Sequence, residues 1–292
     1  MHDSHTHLTI EPLYNYREQA LDNFVKNGGK YLLNTSNNIE SSYKVIDIHK
    51  EFQNKYPKLI QNAIGIHPQE FKNHHFFSKE YEDVKKLINE LREIHKKNKS
   101  CVYAIGECGL EYHDLMDRND LEFSEKEKII EIQKMAFREQ IKLANDNKLP
   151  ITIHARDEIN SDYCIKEMRE ILITEGEMQT KGCMHCYAGG EKYLQDFLDM
   201  GLYIGFNAIL TYKSGQNIRD TLAKTPLEKV LLETDAPFLP TDNVRKDKKR
   251  NINFGQPSDT LEIAQVVSEI KNTELEKVLD VTNQNYEKIF LA

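Results

Sequence analysis

The chain begins Met1-His2-Asp3-Ser4-His5-Thr6-His7, a strand-like run that ends in two histidines. Side chains alternate between the two faces of a strand, so His5 and His7 should project from the same face. An isolated His-x-His pair predicts little, but four further residues of metal-ligand type follow later strand-like runs. They are Glu107 after residues 102–106, His154 after residues 151–153, His185 after residues 182–184, and Asp235 shortly after residues 230–232.

Alternating strand-like and helix-like segments predict the architecture. Helical patterns separate the strand-like runs, which implies parallel strands joined by helical crossovers. Eight such units favour an α/β fold, a (β/α)8 barrel of the TIM type, with the metal site at the C-terminal ends of its strands. The alternative is an open doubly wound sheet, but no Gly-x-Gly-x-x-Gly loop follows the first strand. The runs cover residues 1–7, 30–35, 59–66, 102–106, 150–154, 181–185, 202–206 and 230–233.

The helices are predicted from apolar residues that recur at helical spacing. Ser258 is a candidate N-cap for the helix that follows it. Gly28-Gly29 is interpreted as the stop of the first helix rather than as a phosphate-binding loop. The clearest helical segments cover residues 84–94, 126–147, 263–270 and 275–291.

Composition limits the class of protein. The 292 residues include 47 acidic and 39 basic side chains, which gives a formal net charge of -8. This charge argues against a protein that coats nucleic acid electrostatically, although it allows a local basic patch. No apolar run approaches the roughly 20 residues that a membrane-spanning helix needs. We therefore expect one domain, residues 1–292, with no membrane association and no obligate protein partner.

The N-terminus and the cysteines suggest an intracellular location. The first strand begins almost at Met1, so cleavage of a presequence would remove His5 and His7. We expect a cytoplasmic protein, or a nuclear one if the source is eukaryotic. An odd number of cysteines, five, predicts no disulfide framework in such a compartment. Cys183 and Cys186 form a Cys-x-x-Cys pair that could serve redox or zinc chemistry, but its place at a strand end favours ordinary packing.

Four histidines, one glutamate and one aspartate form a mixed ligand set. Imidazole suits Zn, Mn or Fe, and carboxylates also suit Mg and Mn. The set could hold two divalent metal ions, Mg²⁺ or Mn²⁺ or else Zn²⁺, with one carboxylate shared between them. Two ions roughly 3.5–4 Å apart can clamp the oxygens of a phosphoryl displacement and activate a water. The alternative for His154 or His185 alone is a core histidine, which does not explain six such residues at strand ends.

The motifs around these residues resemble the TatD family of metal-dependent deoxyribonucleases. Each motif is modest alone, whereas the ordered set is specific and extends through the whole chain. The motifs are His5-Thr6-His7, Gly65-Ile66-His67-Pro68, Gly106-Glu107-Cys108-Gly109-Leu110, Leu149-Pro150 with His154-Ala155-Arg156, Met184-His185, Thr211-Tyr212-Lys213, Glu233-Thr234-Asp235-Ala236-Pro237, and the closing Thr282-Asn283 with Asn285 and Phe290.

The resemblance implies a TIM-type barrel that hydrolyses phosphodiester bonds of DNA, typically from the 3′ end of single strands. DNA would therefore be the substrate and partner of the site. Asp235 and Glu107 would be the catalytic residues, and Asp235 would orient or deprotonate the attacking water. The implied ligands form two groups bridged by Glu107, with His5, His7 and Asp235 on one ion and His154 and His185 on the other.

Three residues outside the ligand set are candidates for substrate binding. His67 could bind phosphate or a reactive water, or it could only orient its own loop. Arg156 could contact phosphate through a charge-assisted hydrogen bond, or it could pair with Glu107 or Asp157. Lys213, in the loop after the seventh strand, has the same two interpretations as Arg156.

A basic run, residues 245–250, follows the eighth strand on the expected catalytic side. It could guide a nucleic-acid backbone toward the metals, or it could be an ordinary solvated loop. The histidine pair His74-His75 is interpreted as exposed and without function.

The chain departs from the family pattern at three places. Glu111 stands where aspartate is usual, and Phe238 stands where tyrosine is common. Residues 254–257, Phe-Gly-Gln-Pro, replace the frequent Arg-Asn-x-Pro, with Arg250-Asn251 a few residues earlier. None of these positions belongs to the six ligands, but recognition of the substrate end depends on them.

The main alternative function is a related barrel hydrolase that acts on a small amide, ester or lactone. Amidohydrolases of the carboxylated-lysine type expect a bridging lysine at the fourth strand, where this chain has Glu107. A metal-binding scaffold without activity is a third interpretation, which the intact Asp235 disfavours. A nuclease should release mononucleotides from single-stranded DNA and should be inhibited by EDTA, whereas the other two classes should ignore DNA.

Overall fold

Eight parallel strands in the described part of the chain form one sheet in the order β1 to β8, which confirms the predicted TIM-type barrel. The computed structural model describes residues 1–72, 81–175, 180–247 and 252–292. The pair His74-His75, residues 248–250 of the basic run and Asn251 lie outside these ranges. The strands are β1 (His2–Thr6), β2 (Tyr31–Thr35), β3 (Ile60–Ile64), β4 (Val102–Glu111), β5 (Ile151–Arg156), β6 (Gly182–Met184), β7 (Tyr203–Phe206) and β8 (Val230–Leu232).

Helices alternate with these strands, and the four predicted helical segments all lie in them. The apolar stripe of one, from Val84 to Ile94, packs into the core. No helix of the described residues combines the length and the apolar character needed to cross a membrane. The helices are α1 (Leu13–Lys26), α2 (Ile39–Phe52), α3 (Tyr81–Lys97), α4 (Phe123–Asn147), α5 (Tyr163–Glu175), α6 (Leu194–Asp199), α7 (Gln216–Lys224), α8 (Asp242–Lys246), α9 (Thr260–Lys271) and α10 (Leu275–Phe290).

Two local predictions are wrong, and one concerns the fourth strand. β4 continues to Glu111, so Glu107 lies inside the strand rather than beyond its end. The strand continues because β5 also continues to Arg156, and the two remain paired as far as Glu111 and Arg156. The register shifts between Ile105 and Cys108, which is where Glu107 lies.

The second wrong prediction concerns the start of α9. Ser258 makes no capping hydrogen bond, because the chain enters α9 through a 3₁₀ turn that already contains Ser258. The turn is capped instead by Gln256 and Asp259. The backbone N–H of Gln256 donates to the Asp259 carboxylate at 2.9 Å. The predicted stop of α1 is confirmed, because α1 ends at Lys26 and Gly28 has a φ of +89°.

Side chains of the opening stretch close the seam between β1 and β8. Nε2 of His2 accepts a hydrogen bond from the Leu232 amide at 3.0 Å. The Asp3 carboxylate accepts one from the Thr234 amide at 3.0 Å, and the Ser4 hydroxyl donates to the Leu232 carbonyl at 3.1 Å. These contacts replace the backbone ladder at this seam and fix the register of the first strand against the last.

Backbone hydrogen bonds continue the seam toward the C-terminal end of the barrel. The Asp235 amide donates to the His5 carbonyl at 2.8 Å, and the His7 amide donates to the Ala236 carbonyl at 2.7 Å. The first two predicted ligands are therefore held beside the last one.

Helix α10 closes the opposite end of the barrel. Since Nε2 of His2 is an acceptor, its Nδ1 carries the proton and donates to Asn283 at 3.2 Å. Asn285 donates to the carbonyls of Leu227 and Val230 at 2.9 and 2.8 Å. The closing Asn283 and Asn285 of the sequence thus attach α10 to the strand starts.

Acid should weaken the seam through His2. Burial lowers the pKa of His2 from 6.5 to about 3. Between these two values His2 therefore binds a proton more readily in the unfolded chain than in the folded one. The His2 contribution to the free energy of unfolding is fully present above pH 6.5 and is lost as pH falls toward 3. Urea denaturation at pH 7, 6 and 5 should show up to about 1.4 kcal/mol of loss per pH unit from this group.

The variant His2→Gln should have a flatter pH dependence of the free energy of unfolding than the wild type. Equal slopes in the wild type and His2→Gln would contradict this role of His2.

Candidate metal centre

The six predicted ligand side chains meet at the C-terminal end of the barrel. Most of them line a cavity of about 560 Å³, together with His67, Arg156 and Phe238. His5, Glu107 and His154 project from within β1, β4 and β5, whereas His7, His185 and Asp235 come after β1, β6 and β8.

Glu107 lies at the centre of the cluster and is 3% exposed. Its Oε2 lies 3.2 Å from Nε2 of His5 and 3.7 Å from Nε2 of His7. Its Oε1 instead lies near His154 (Nδ1, 2.9 Å), His67 (Nε2, 3.4 Å) and His185 (Nε2, 3.7 Å). Each oxygen of Glu107 therefore contacts a different group of rings, which is the arrangement expected of a bridging carboxylate.

Asp235 completes the group on the Oε2 side. Its Oδ1 lies 3.3 Å from Nε2 of His7 and 3.9 Å from Nε2 of His5. It also lies 3.8 Å from Nε2 of His185, which places His185 between the two groups. Asp235 has a left-handed backbone with a φ of +58°, a conformation that aspartate tolerates better than most residues.

The donor atoms fit a divalent cation. Nδ1 of His7 donates to the Thr35 carbonyl at 3.0 Å, so in the neutral ring Nε2 presents a lone pair. That lone pair lies 3.2 Å from Nε2 of His5 and 3.3 Å from Asp235, a repulsive arrangement unless a proton or a cation lies between them. Two ligands bound about 2.1 Å from a tetrahedral ion are about 3.4 Å apart, close to the spacing found here.

Carboxylates behind two of the histidines hold their rings. Nε2 of His154 donates to Glu111 at 2.9 Å, which leaves Nδ1 to face Glu107. Nδ1 of His185 lies 3.1 Å from Glu233, as an ion-pair contact rather than a well-aligned hydrogen bond. Such outer partners orient metal-binding imidazoles and raise their basicity.

Glu111 and Glu233 of this outer layer lie close to the predicted ligands in the sequence, but the sequence pattern assigns no role to either residue. Lys72, whose amine donates to Glu111 at 3.3 Å, had no signal, because the pairing joins the turn after β3 to the end of β4.

The carboxylates control protonation in the cluster. Burial alone would lower the pKa of His154, but Glu107 and Glu111 outweigh it and raise that pKa to about 9. Burial would likewise lower the pKa of His185, whereas Glu233 and Glu107 raise it to about 10. Burial would raise the pKa of Glu107, but the surrounding imidazoles hold it well below its usual value. The cluster thus attracts cations, and a metal ion would compete with these protons.

His67 differs from the other rings. Its Nδ1 accepts a hydrogen bond from the Gln69 amide at 3.0 Å, so the neutral ring carries its proton on Nε2. Nε2 faces Glu107 at 3.4 Å. A protonated nitrogen cannot ligate a metal, so this geometry favours a hydrogen-bond donor over a further ligand.

Arg156 and Lys213 lie in different surroundings. Arg156 is exposed and lines the metal cavity, and among the described residues it has no ion pair with Glu107 or Asp157. The Asp157 carboxylate instead accepts the amides at the start of α5. Lys213 does not line the metal cavity. It lies in a neighbouring pocket with Tyr212 and Arg245, whose guanidinium lies 4.6 Å above the tyrosine ring.

The five cysteines all lie within the described ranges, and all are free thiols. Cys183 is buried in the core, whereas Cys186 lies at the edge of the metal cavity.

Known proteins resemble the chain over its whole length. The family described as TatD related DNase matches residues 2–291. YabD of Bacillus subtilis, named an uncharacterized metal-dependent hydrolase, is 28% identical over 288 residues, which are 99% of this chain and 98% of YabD. The protein named deoxyribonuclease Tat-D of Schizosaccharomyces pombe is 26% identical over 280 residues, which are 88% of this chain and 82% of Tat-D.

Solved structures agree on the fold. The TatD homologue YJJV of Escherichia coli K12 superposes with a TM-score of 0.80 at 21% identity, covering 100% of this chain and 98% of YJJV. At this identity the likeness concerns the barrel itself.

The variant Glu107→Gln should bind less metal. Glutamine keeps the shape of the side chain but removes the charge that both groups of ligands share. After dialysis against Mn²⁺ or Zn²⁺, elemental analysis should show at least one ion fewer per chain than in the wild type.

Glu276→Gln is the matched control, because Glu276 is an exposed residue of α10 that belongs to none of the candidate ligand groups of the described residues. Its metal content should equal that of the wild type. Wild-type metal content in Glu107→Gln would contradict the central role of Glu107.

Proposed function

This chain belongs to the family of TatD related DNases, and on that premise we propose that it is a metal-dependent deoxyribonuclease that shortens single-stranded DNA from the 3′ end with two divalent ions. That it is a metal-dependent hydrolase follows from the family and from relatives such as YabD. The observation that carries the finer proposal is Glu107, because each of its oxygens faces its own group of imidazoles. A relative named deoxyribonuclease Tat-D supports DNA as the substrate class.

Asp235 is the proposed proton acceptor. Burial alone would raise the pKa of its carboxyl, but His7 and His185 hold it below its usual value. The carboxylate is therefore ionised at neutral pH and can take a proton from the attacking water. Bound divalent ions would supply charge neutralisation at the phosphate and would make water easier to deprotonate.

The bond changes follow from this assignment. Water oxygen attacks phosphorus, its proton passes to Asp235, and the bond from phosphorus to the 3′ oxygen breaks. The leaving 3′ oxygen takes up a proton from solvent and Asp235 releases to solvent the proton that it accepted, so the products are a 5′-mononucleotide and a strand shortened by one residue. Such a reaction serves the turnover or repair of DNA.

Two further side chains bind the phosphate in this proposal. His67 lines the cavity and carries its proton on Nε2, because its other nitrogen is already an acceptor, so it would turn this donor from Glu107 to a phosphate oxygen. Arg156 lines the same cavity and, within the described ranges, makes no ion pair, although its charge acts on Glu111. An exposed guanidinium can make paired hydrogen bonds to a phosphodiester.

Lys213 would act farther from the reacting bond. It shares its pocket with Arg245 and Lys246 of the basic run, beside the aromatic ring of Tyr212. Basic groups next to a half-buried aromatic ring suit the backbone and bases of a single strand. Lys213 therefore belongs to the approach path of the strand in this proposal, and not to the metal cavity.

The variant Asp235→Asn should lose activity and keep its fold. A 5′-labelled single-stranded oligonucleotide with Mg²⁺ or Mn²⁺ should be degraded by the wild type into a ladder that shortens from the 3′ end. The variant should be at least about 100-fold slower, because it lacks both a ligand and the proton acceptor.

The control is Asp199→Asn, an exposed aspartate of α6, which should retain wild-type rates. EDTA should stop the reaction, and an RNA oligonucleotide of the same sequence tests the sugar preference. Absence of cleavage by folded, metal-loaded wild type would contradict the nuclease proposal. Equal rates for Asp235→Asn and the wild type would contradict the role of Asp235.

A further inference from the structure

A second cavity lies at the end of the barrel opposite the metal centre. Its volume is about 580 Å³. The starts of β6 and β7, the turn before β8 and the end of α10 form its wall, so we call it the floor pocket. The residues that matter for its chemistry are Thr180, Lys181, Tyr203, Lys229 and Lys288.

The floor pocket is basic although the chain is acidic. Three lysines and no carboxylate belong to its lining in the described part of the chain. Across the whole sequence acidic residues outnumber basic ones by 47 to 39. The charge of this cavity, whose charged lining residues in the described part of the chain are all lysines, is therefore opposite in sign to the net charge of the protein. Within the same described ranges, Lys181, Lys229 and Lys288 have no ion pair, whereas many surface lysines of this protein do. No carboxylate of the described residues therefore compensates the charge of these three lysines.

Lys229 is held in place within this group. Its amine donates to the Gly201 carbonyl at 2.8 Å and lies 4.5 Å from the centre of the Tyr203 ring. Burial lowers the pKa of Lys229, and the neighbouring positive charge of Lys288 lowers it further, because the two ammonium groups repel each other. An anion between them would relieve that repulsion.

A hydroxyl group adds a second, independent observation. Thr180 is 7% exposed, and its side-chain oxygen is buried without a hydrogen-bond partner among the described residues. A buried polar group without a partner costs free energy, so such groups often mark a ligand or a bound water. Thr180 lines the cavity together with the lysines, and its side-chain oxygen lies buried beneath the cavity surface.

We propose that the floor pocket binds a small phosphorylated anion. A phosphate group offers several acceptor oxygens and up to two charges, which matches three ammonium groups better than a single carboxylate does. The cavity exceeds the size of a free phosphate, and the Tyr203 ring forms part of its wall. A nucleoside monophosphate therefore fits as well as inorganic phosphate, and both share the same recognised group.

The test is calorimetric titration of the metal-loaded protein with inorganic phosphate and with thymidine 5′-monophosphate at low ionic strength. The double variant Lys181→Gln/Lys288→Gln removes two charges from the floor pocket. Its control, Lys166→Gln/Lys277→Gln, removes two exposed lysines that do not line the pocket. Repeating each titration with EDTA separates the floor pocket from binding at the metal centre.

Binding should persist with EDTA and should weaken about tenfold in the pocket variant, but less than twofold in the control. Tighter binding of the nucleotide than of phosphate would identify the nucleotide as the source of the group, and equal binding would identify free phosphate. Unchanged affinity in the pocket variant, or loss of all binding with EDTA, would overturn the proposal. Because the readout is binding, this result does not depend on the nuclease assay.

Discussion

A buried carboxylate surrounded by imidazoles is the interaction on which the C-terminal end of this barrel depends. Among the described residues, five histidine rings approach Glu107 within 4 Å. Isolated burial of such a charge is very costly, so the site needs cations close by. Protons on the rings supply some of that charge, and divalent ions can replace them. The histidines of β1, β5 and the β6 end thus share one role, which is to compensate the buried negative charge of Glu107.

The scaffold meets this requirement through close contacts between strands. His2, Asp3 and Ser4 fix β1 against β8, which brings His5 and His7 beside Asp235. On the other side, β4 runs close to β5 at Gly109, where an added Cβ would lie 2.0 Å from the carbonyl oxygen of His154. Gly109 also has a φ of +144°. Glycine is therefore required at this position both by the backbone conformation and by the lack of space for a Cβ. Because β4 approaches β5 so closely, Glu107 and Glu111 reach the two nitrogens of His154.

Most of the fold and the positions of the candidate ligands could be predicted from the sequence, because both depend on local patterns. Periodicity identified the strands and helices, and parallel strands place residues at their C-terminal ends together. Contacts between distant segments could not be predicted in this way. The extension of β4 depends on β5, and the pairing of Lys72 with Glu111 joins the turn after β3 to the end of β4. The proton position on His67 depends on the backbone amide of Gln69. The placement of Lys213 outside the metal cavity likewise depends on how two loops fold together.

The central claim is that Glu107 joins two metal sites at the mouth of the barrel. Crystals of the protein grown with Mn²⁺ or Zn²⁺, with diffraction recorded at the absorption edge of the metal, test it most directly. The account predicts two anomalous peaks, each within coordination distance of one Glu107 oxygen. One should lie among His5, His7 and Asp235, and the other beside His154 and His185. A single peak, or metal bound away from Glu107 in fully loaded crystals, would contradict the account.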